Sequence, residues 1–217
     1  MINFYLLQKT SLFDGVAQKD IEDILKNVDT GQETFHKGAV IIRQGQVLRD
    51  IGVLTSGRAR AVKNGLDGEE VVVSSLVKGS VFADILSGSM NFESPVEVVA
   101  ATDCTVLFIS YNQLVCSHHP QAHRVLQNMI KTISLKYFAQ NLHLEILMLK
   151  GVRRRLEFFL TAQSQKNDSP DFYIDFDRRR LADYLGVDRS ALSRELSRMQ
   201  NEGLLEYKKN FFHIMWK

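Results

Sequence analysis

Ile174-Asp-Phe-Asp-Arg-Arg-Arg-Leu-Ala-Asp-Tyr-Leu-Gly-Val-Asp-Arg-Ser-Ala-Leu-Ser-Arg-Glu-Leu-Ser-Arg-Met199 divides at Gly186 into two short capped helices. The Asp177 carboxylate can accept bonds from the backbone N–H groups that open a helix over residues 178–185. Gly186 supplies the left-handed residue that ends this helix and turns the chain, and Asp188 caps the next one. In that second helix Leu192, Leu196 and Met199 repeat at four and three residues, a face that packs on Leu181 and Leu185. The opposite face carries Arg189, Ser190, Ser193, Arg194, Ser197 and Arg198. Two capped helices around a tight glycine turn are a helix-turn-helix, and a basic face of small residues suits a major groove lined by phosphates.

The flanks extend this unit. After Gly203, two apolar runs within Leu204 to Met215 enclose a Lys209-Asn210 turn, which reads as a hairpin wing. Lys208 and Lys209 at its tip are placed either for phosphate contacts or for solvation. Upstream, Gly151 breaks a helix before the amphipathic segment 152–164, which opens with Arg153, Arg154 and Arg155, and the polar stretch 165–170 reads as a loop. Between Pro120 and Lys150 the pattern is helical, with one stripe at Ile130, Ile133, Tyr137, Gln140, Leu144 and Leu147 and another at Leu135, Phe138, Leu142, Ile146 and Leu149. A helix apolar on two faces needs two partners. The simplest pair is an N-terminal β domain for one stripe and the same helix of a second subunit for the other, whose 3-4-3-4 spacing suits such a seam. Burial within one monomer is the alternative.

The N-terminal half has a different texture. A short amphipathic helix is predicted over 16–28, and nine of the 13 glycines then fall between Gly31 and Gly88, separating β-branched runs such as Val40-Ile-Ile42, Ile51-Gly-Val-Leu54 and Val71-Val-Val73. Short strands with frequent turn signals read as an antiparallel sandwich or barrel. Asn64-Gly65 and Asp67-Gly68 supply hairpin turns, and strands resume at 96–100 and 105–110.

Bulk properties exclude other classes. The chain has 217 residues, 45% hydrophobic and 24% charged, enough for two folded domains. Its formal charge is only +2, with a net of +3 from Gly151 onward and −1 before it, so local clustering and not overall charge points to nucleic acid. No apolar run is long enough to span a bilayer and the start lacks a signal-peptide pattern, so a cytoplasmic protein is expected. Cys104 and Cys116 are too few for a disulfide scaffold or a four-thiolate site, and Cys104 lies in an apolar run as a small buried hydrophobe. His36 stands alone among the strands, so neither a metal site nor an enzyme is expected.

Taken together these segments resemble the CRP/FNR superfamily of bacterial transcription regulators. Leu12-Phe-Asp-Gly-Val16, His36-Lys-Gly-Ala-Val-Ile-Ile-Arg-Gln-Gly45, Leu54-Thr-Ser-Gly-Arg-Ala-Arg-Ala61 and Leu181-Ala-Asp-Tyr-Leu-Gly-Val-Asp-Arg-Ser-Ala-Leu-Ser-Arg194 carry the resemblance over nearly the whole chain. It implies an α+β fold: an antiparallel β-roll, a double-stranded β-helix jelly roll like that of cyclic-nucleotide-binding domains, with flanking helices. The roll would span 1–120, followed by a dimerisation helix over 121–150 and a winged helix-turn-helix over 151–217. The function implied is that of a homodimeric regulator on an inverted repeat of double-stranded DNA, with RNA polymerase as a partner and a small-molecule effector in the roll. A signalling module whose winged helix binds protein is the alternative. Relatives that bind cyclic AMP place a Gly-Glu pair on the ribose and an Arg-Ser pair on the phosphate. Here Ala83-Asp84 and Ser94-Pro95 stand at those places, so cyclic AMP is not the expected effector, and Asp84 and Ser94 are the candidate contacts for another ligand. The cluster-binding cysteines of oxygen-sensing relatives are missing, and the histidines, His118 and His119 among them, show no haem signature, so no cofactor is expected. For DNA the candidates are Arg189, Ser190, Ser193, Arg194, Arg178, Lys208 and Lys209. Arg194 is expected to read guanine, Arg178 to hold a phosphate, and Ser190 stands where relatives commonly present a glutamate.

Overall fold

Glycine-separated β-branched runs build the N-terminal half as antiparallel strands: β1 (Thr30–Phe35), β2 (Val40–Ile42), β3 (Asp50–Ser56), β4 (Arg58–Asn64), β5 (Glu70–Val77), β6 (Val81–Phe82), β7 (Glu97–Ala100) and β8 (Cys104–Ser110). The computed structural model describes residues 2–64, 70–83 and 93–216. Two four-stranded sheets result, ordered β1-β8-β3-β6 and β2-β7-β4-β5. Alternation along the strands decides what each face buries. Ile51 and Val53 of β3 pack with Leu107 and Ile109 of β8 on one side of the first sheet. Leu54 and Val106 face the other way, into a core shared with Ile42, Ala59, Ala61, Val98 and Ala100 of the second sheet. Gly52 is required by this packing, because a Cβ there would come within 2.5 Å of the Phe82 ring. The β4–β5 hairpin forms with Asn64 opposite Glu70, while the turn residues expected from Gly65 and Asp67-Gly68 lie outside the described residues.

The outer face of the first sheet is covered by α1 (Phe4–Gln8), a 3-10 turn at Ser11–Phe13, α2 (Gln18–Lys26), α3 (Tyr111–Val115) and the first turns of α4 (Ala122–Met148). Leu7, Phe13, Ile21, Ile24, Leu114 and Val125 are fully buried there, each worth roughly 1.5–3 kcal/mol of transfer free energy. Asn128 is buried among them without penalty, since its amide donates to the carbonyls of Leu12 and Asp14 at 3.1 and 2.8 Å.

The C-terminal half continues through α5 (Val152–Asn167), β9 (Asp171–Tyr173), α6 (Arg178–Leu185), α7 (Arg189–Asn201), β10 (Leu205–Lys208) and β11 (Phe211–Ile214), with a three-stranded sheet ordered β10-β11-β9. Its core joins Leu156, Phe159, Leu160, Phe172, Leu181, Leu185, Leu192, Leu196, Met199 and Phe212 with Ile146 of α4.

Two expectations are corrected here, and one strand is added. Residues 165–167 are helical, because Gln165 and Lys166 are good helix formers and the helix stops only where Asp168 turns left-handed at φ 47. Residues Asp171–Tyr173, for which the sequence predicts no element, form β9, which pairs with β11 and widens the wing to three strands. Finally, neither stripe of α4 packs on the β-roll as a whole. The roll is met by Val125 and Met129, with Leu126 packed partly buried against the same core. Of the second stripe, Leu142 and Ile146 serve the C-terminal core while Leu135 and Phe138 are exposed. A helix of 27 residues is about 40 Å long, so only its two ends serve the cores. The chain accordingly divides into two compact units, Met1–Leu135 and Lys136–Lys217, with the boundary inside α4. None of the described helices is long and apolar enough to cross a membrane.

Candidate nucleic-acid interface

The turn between α6 and α7 is fixed from several sides. Asp177 Oδ1 accepts from the Arg180 N–H at 2.8 Å, and this bond, followed by that of the Arg179 N–H, holds the carboxyl below its ordinary value. Gly186 sits at φ 61 and its neighbour Val187 donates to the Ala182 carbonyl, closing α6 in the left-handed manner. A Cβ on Gly186 would lie 2.9 Å from Leu147 Cδ2 and 3.1 Å from Arg155 Nη1. Arg155, read in the sequence only as one of three basic residues, donates to the carbonyls of Leu185 and Gly186 at 2.9 Å and to those of Leu149 and Leu147 at 2.8 and 3.0 Å. One guanidinium thus satisfies the orphan carbonyls of two helix ends. His143 adds a bond from Nε2 to the Tyr184 carbonyl at 2.7 Å and stacks on the Tyr184 ring at 4.2 Å. Neither role had a sequence signal, because both depend on partners about 30 to 41 residues away.

Asp188 starts α7. Its Oδ1 accepts from the Ser190 hydroxyl and from the N–H groups of Ser190 and Ala191 at 2.8 and 3.0 Å, and these bonds lower its pKa, the hydroxyl most. The predicted face is as drawn: Arg189, Ser190, Ser193, Arg194, Ser197 and Arg198 are all exposed, while Leu192, Leu196 and Met199 are fully buried. Ser193 and Ser197 donate their hydroxyls to the carbonyls four residues back, at 3.0 and 3.1 Å. Their outward character is therefore that of small acceptors. Arg189 and Arg194 form no salt bridge among the described residues, so both guanidinium groups keep their donors for a ligand. At the far end of α7, Arg153 reaches over from α5 and binds Glu202, Glu157 and Glu195, the last at 3.6 Å. The Glu202 contact first and Glu157 second raise the Arg153 pKa beyond its usual value, and Arg153 in turn lowers that of Glu202.

The wing carries Lys208 and Lys209 exposed at its tip, with Lys209 left-handed at φ 53. Arg178 stands differently from its expected phosphate-holding pose. Its guanidinium lies over the rings of Tyr207 and Phe212 and donates to the Lys209 carbonyl at 2.9 Å.

In the β-roll, Asp84 lies outside the described residues. Ser94 is buried, its hydroxyl donates to the Val96 carbonyl at 2.7 Å and its N–H to the Gln46 carbonyl at 2.8 Å. Both of its donors are spent inside the protein. Ala83, beside Asp84, has a left-handed backbone at φ 59.

Comparison with known proteins matches residues 32–115 to the family described as Cyclic nucleotide-binding domain and residues 154–215 to that described as Crp-like helix-turn-helix domain. The chain is 23% identical over 199 residues to a cyclic AMP receptor protein of Thermus thermophilus, covering 92% of this chain and 89% of that protein. Among solved structures, the Thermus thermophilus catabolite activator protein superposes with a TM-score of 0.56 at 22% identity, over 94% of this chain and 93% of that one. The c-di-GMP responsive global regulator CLP of Xanthomonas campestris gives 0.52 at 19% identity, over 93% and 100%. At these identities the solved structures establish the likeness of fold.

Proposed function

The chain belongs to the CRP/FNR superfamily, with a cyclic nucleotide-binding domain followed by a Crp-like helix-turn-helix, and from this premise we propose that it regulates transcription as a homodimer that binds an inverted repeat of double-stranded DNA. The observation that carries the reading is the exposed face of α7. It presents two arginines that form no salt bridge among the described residues, beside small serines, on a helix whose start is pinned by the Asp188 cap and whose back is locked into the core. Arg189, Ser190, Ser193 and Arg194 enter the major groove, Arg194 reads a guanine, and Lys208 and Lys209 neutralise phosphates.

The dimer forms along α4. Ile130, Tyr137 and Leu144 repeat at seven residues and are 65%, 58% and 56% exposed in the monomer, which leaves an apolar seam for the same helix of a second copy. An effector in the β-roll acts by binding one state of the dimer better than another, and RNA polymerase is the downstream partner. That effector is not cyclic AMP: Pro95 has no N–H and the Ser94 donors are spent, so no group at 94 or 95 clamps a phosphate as an Arg-Ser pair does.

Anisotropy of a labelled duplex of about 40 base pairs, titrated with the protein between 50 and 200 mM KCl, tests DNA binding. Two phosphate contacts per protomer, from Lys208 and Lys209, predict that log K falls against log salt with a slope of about −4. Affinity that does not depend on salt would favour a winged helix that binds protein.

A further inference from the structure

Arg178 is the first residue of α6, next to the cap Asp177, where an arginine is expected to reach outward. Instead it turns under the wing. Its guanidinium carbon lies 4.8 Å from the Tyr207 ring centre and 5.2 Å from that of Phe212, a residue of each wing strand. Nη2 donates to the carbonyl of Lys209, the residue whose left-handed backbone makes the tip of the hairpin. Nη1 is buried and, among the described residues, has no hydrogen-bond partner, so it is not presented to a phosphate in this pose. On the other side of the tip, the Asn210 carbonyl accepts from the Ile174 N–H at 2.9 Å. Burial also holds the Arg178 pKa below the ordinary arginine value, as for a guanidinium partly withdrawn from water.

We propose that Arg178 is a positioning residue, a clamp that fixes the wing hairpin to the first helix of the helix-turn-helix so that Lys208 and Lys209 meet the DNA backbone, and that it makes no phosphate contact of its own. The clamp needs arginine in particular. A planar guanidinium stacks on aromatic rings while donating in its own plane, whereas an ammonium is a hydrated point charge that serves a phosphate nearly as well but cannot do both. The proposal rests on the DNA-binding reading for its consequence but not for its geometry, and its test separates the two.

The test uses the full chain and compares Arg178→Lys with the Lys208→Ala/Lys209→Ala pair, alone and combined. In the free protein, hydrogen exchange of the amides from 208 to 211 speeds up at least tenfold in Arg178→Lys while those of α7 keep their protection. On a labelled duplex of arbitrary sequence, Arg178→Lys weakens binding about as much as the double lysine variant although the charge is retained. Adding it to the double variant costs little more, because the contacts it positions are already gone. Wing amides that exchange as in the wild type, or acceleration spread evenly over helices and wing, would overturn the clamp. So would near-wild-type DNA affinity of Arg178→Lys with additive effects of the lysine substitutions, the pattern of a direct phosphate contact. Wild-type protein that fails to bind the duplex removes the DNA-binding reading, while the exchange measurement still decides the clamp.

Discussion

Arg194 and Asp188 show how single residues on α7 divide their work. Arg194 is exposed with its donors unspent, so it can offer guanine O6 and N7 two parallel bonds. Arg194→Ala is expected to lose about 1–3 kcal/mol on the specific site and to relax the choice at one base pair of each half-site, read by competition among single-base variants. A uniform loss with base preference intact would reassign Arg194 to the backbone. Asp188 acts on the protein itself. Its carboxyl is lowered by the Ser190 hydroxyl and by two backbone N–H groups, so the ionised form is favoured in the fold. The cap contribution is therefore complete above the unfolded-state pKa, about 3.9, and is lost as pH falls through the lower folded-state value. Asp188→Ala should lower Tm by several degrees at pH 7, with the gap from wild type narrowing at pH 3.5. A gap that is the same at both pH values would mean that the carboxylate does not cap. In the roll, calorimetry with cyclic AMP is expected to show no binding at micromolar concentration, and micromolar binding would show that another cation replaces the missing arginine.

Elements differ in how plainly the sequence declares them, and the difference is physical. Helix α6 and the start of α7 were legible to the residue, because each start is marked by an aspartate cap, the turn by a glycine that must be left-handed, and the buried stripe by local spacing. Strand β9 was not, since three residues between a helix and a polar turn have no period to read and exist as a strand only by pairing Phe172 with Phe212. The Arg178 pose was hidden for the same reason, because its rings and its carbonyl come from the wing about 30 residues on. Helix α4 was legible as a helix but not in its partners: the stripes are local, whereas the cores that use its two ends are not. Its exposed middle carries a prediction. Ile130→Glu with Leu144→Glu places charge on two side chains that are 65% and 56% exposed, so the monomer should fold with unchanged circular dichroism while sedimentation at micromolar concentration shifts from dimer to monomer and DNA affinity falls at least tenfold. A dimer that survives both substitutions would place the interface elsewhere.

Over the whole molecule, function is carried by distribution more than by total. A net charge of +2 marks nothing, but the arginines of α7 and the lysines of the wing put positive charge on the face that a duplex would meet, in a chain whose N-terminal 150 residues are slightly acidic. The general plan, a strand-rich half before a helical and winged half, was visible where glycine-separated β-branched runs give way to helical stripes after Pro120. The division inside α4 was not, because a continuous helix gives no compositional break where one unit ends and the next begins. A two-fold pair of these chains is expected to read a two-fold DNA site. Duplexes selected from a random library by the wild-type dimer and sequenced should be enriched in an inverted repeat with a guanine in each half-site and half-site centres about 34–36 Å apart; a bound pool with no enriched sequence, or with a single unrepeated half-site, would rule out two-fold reading.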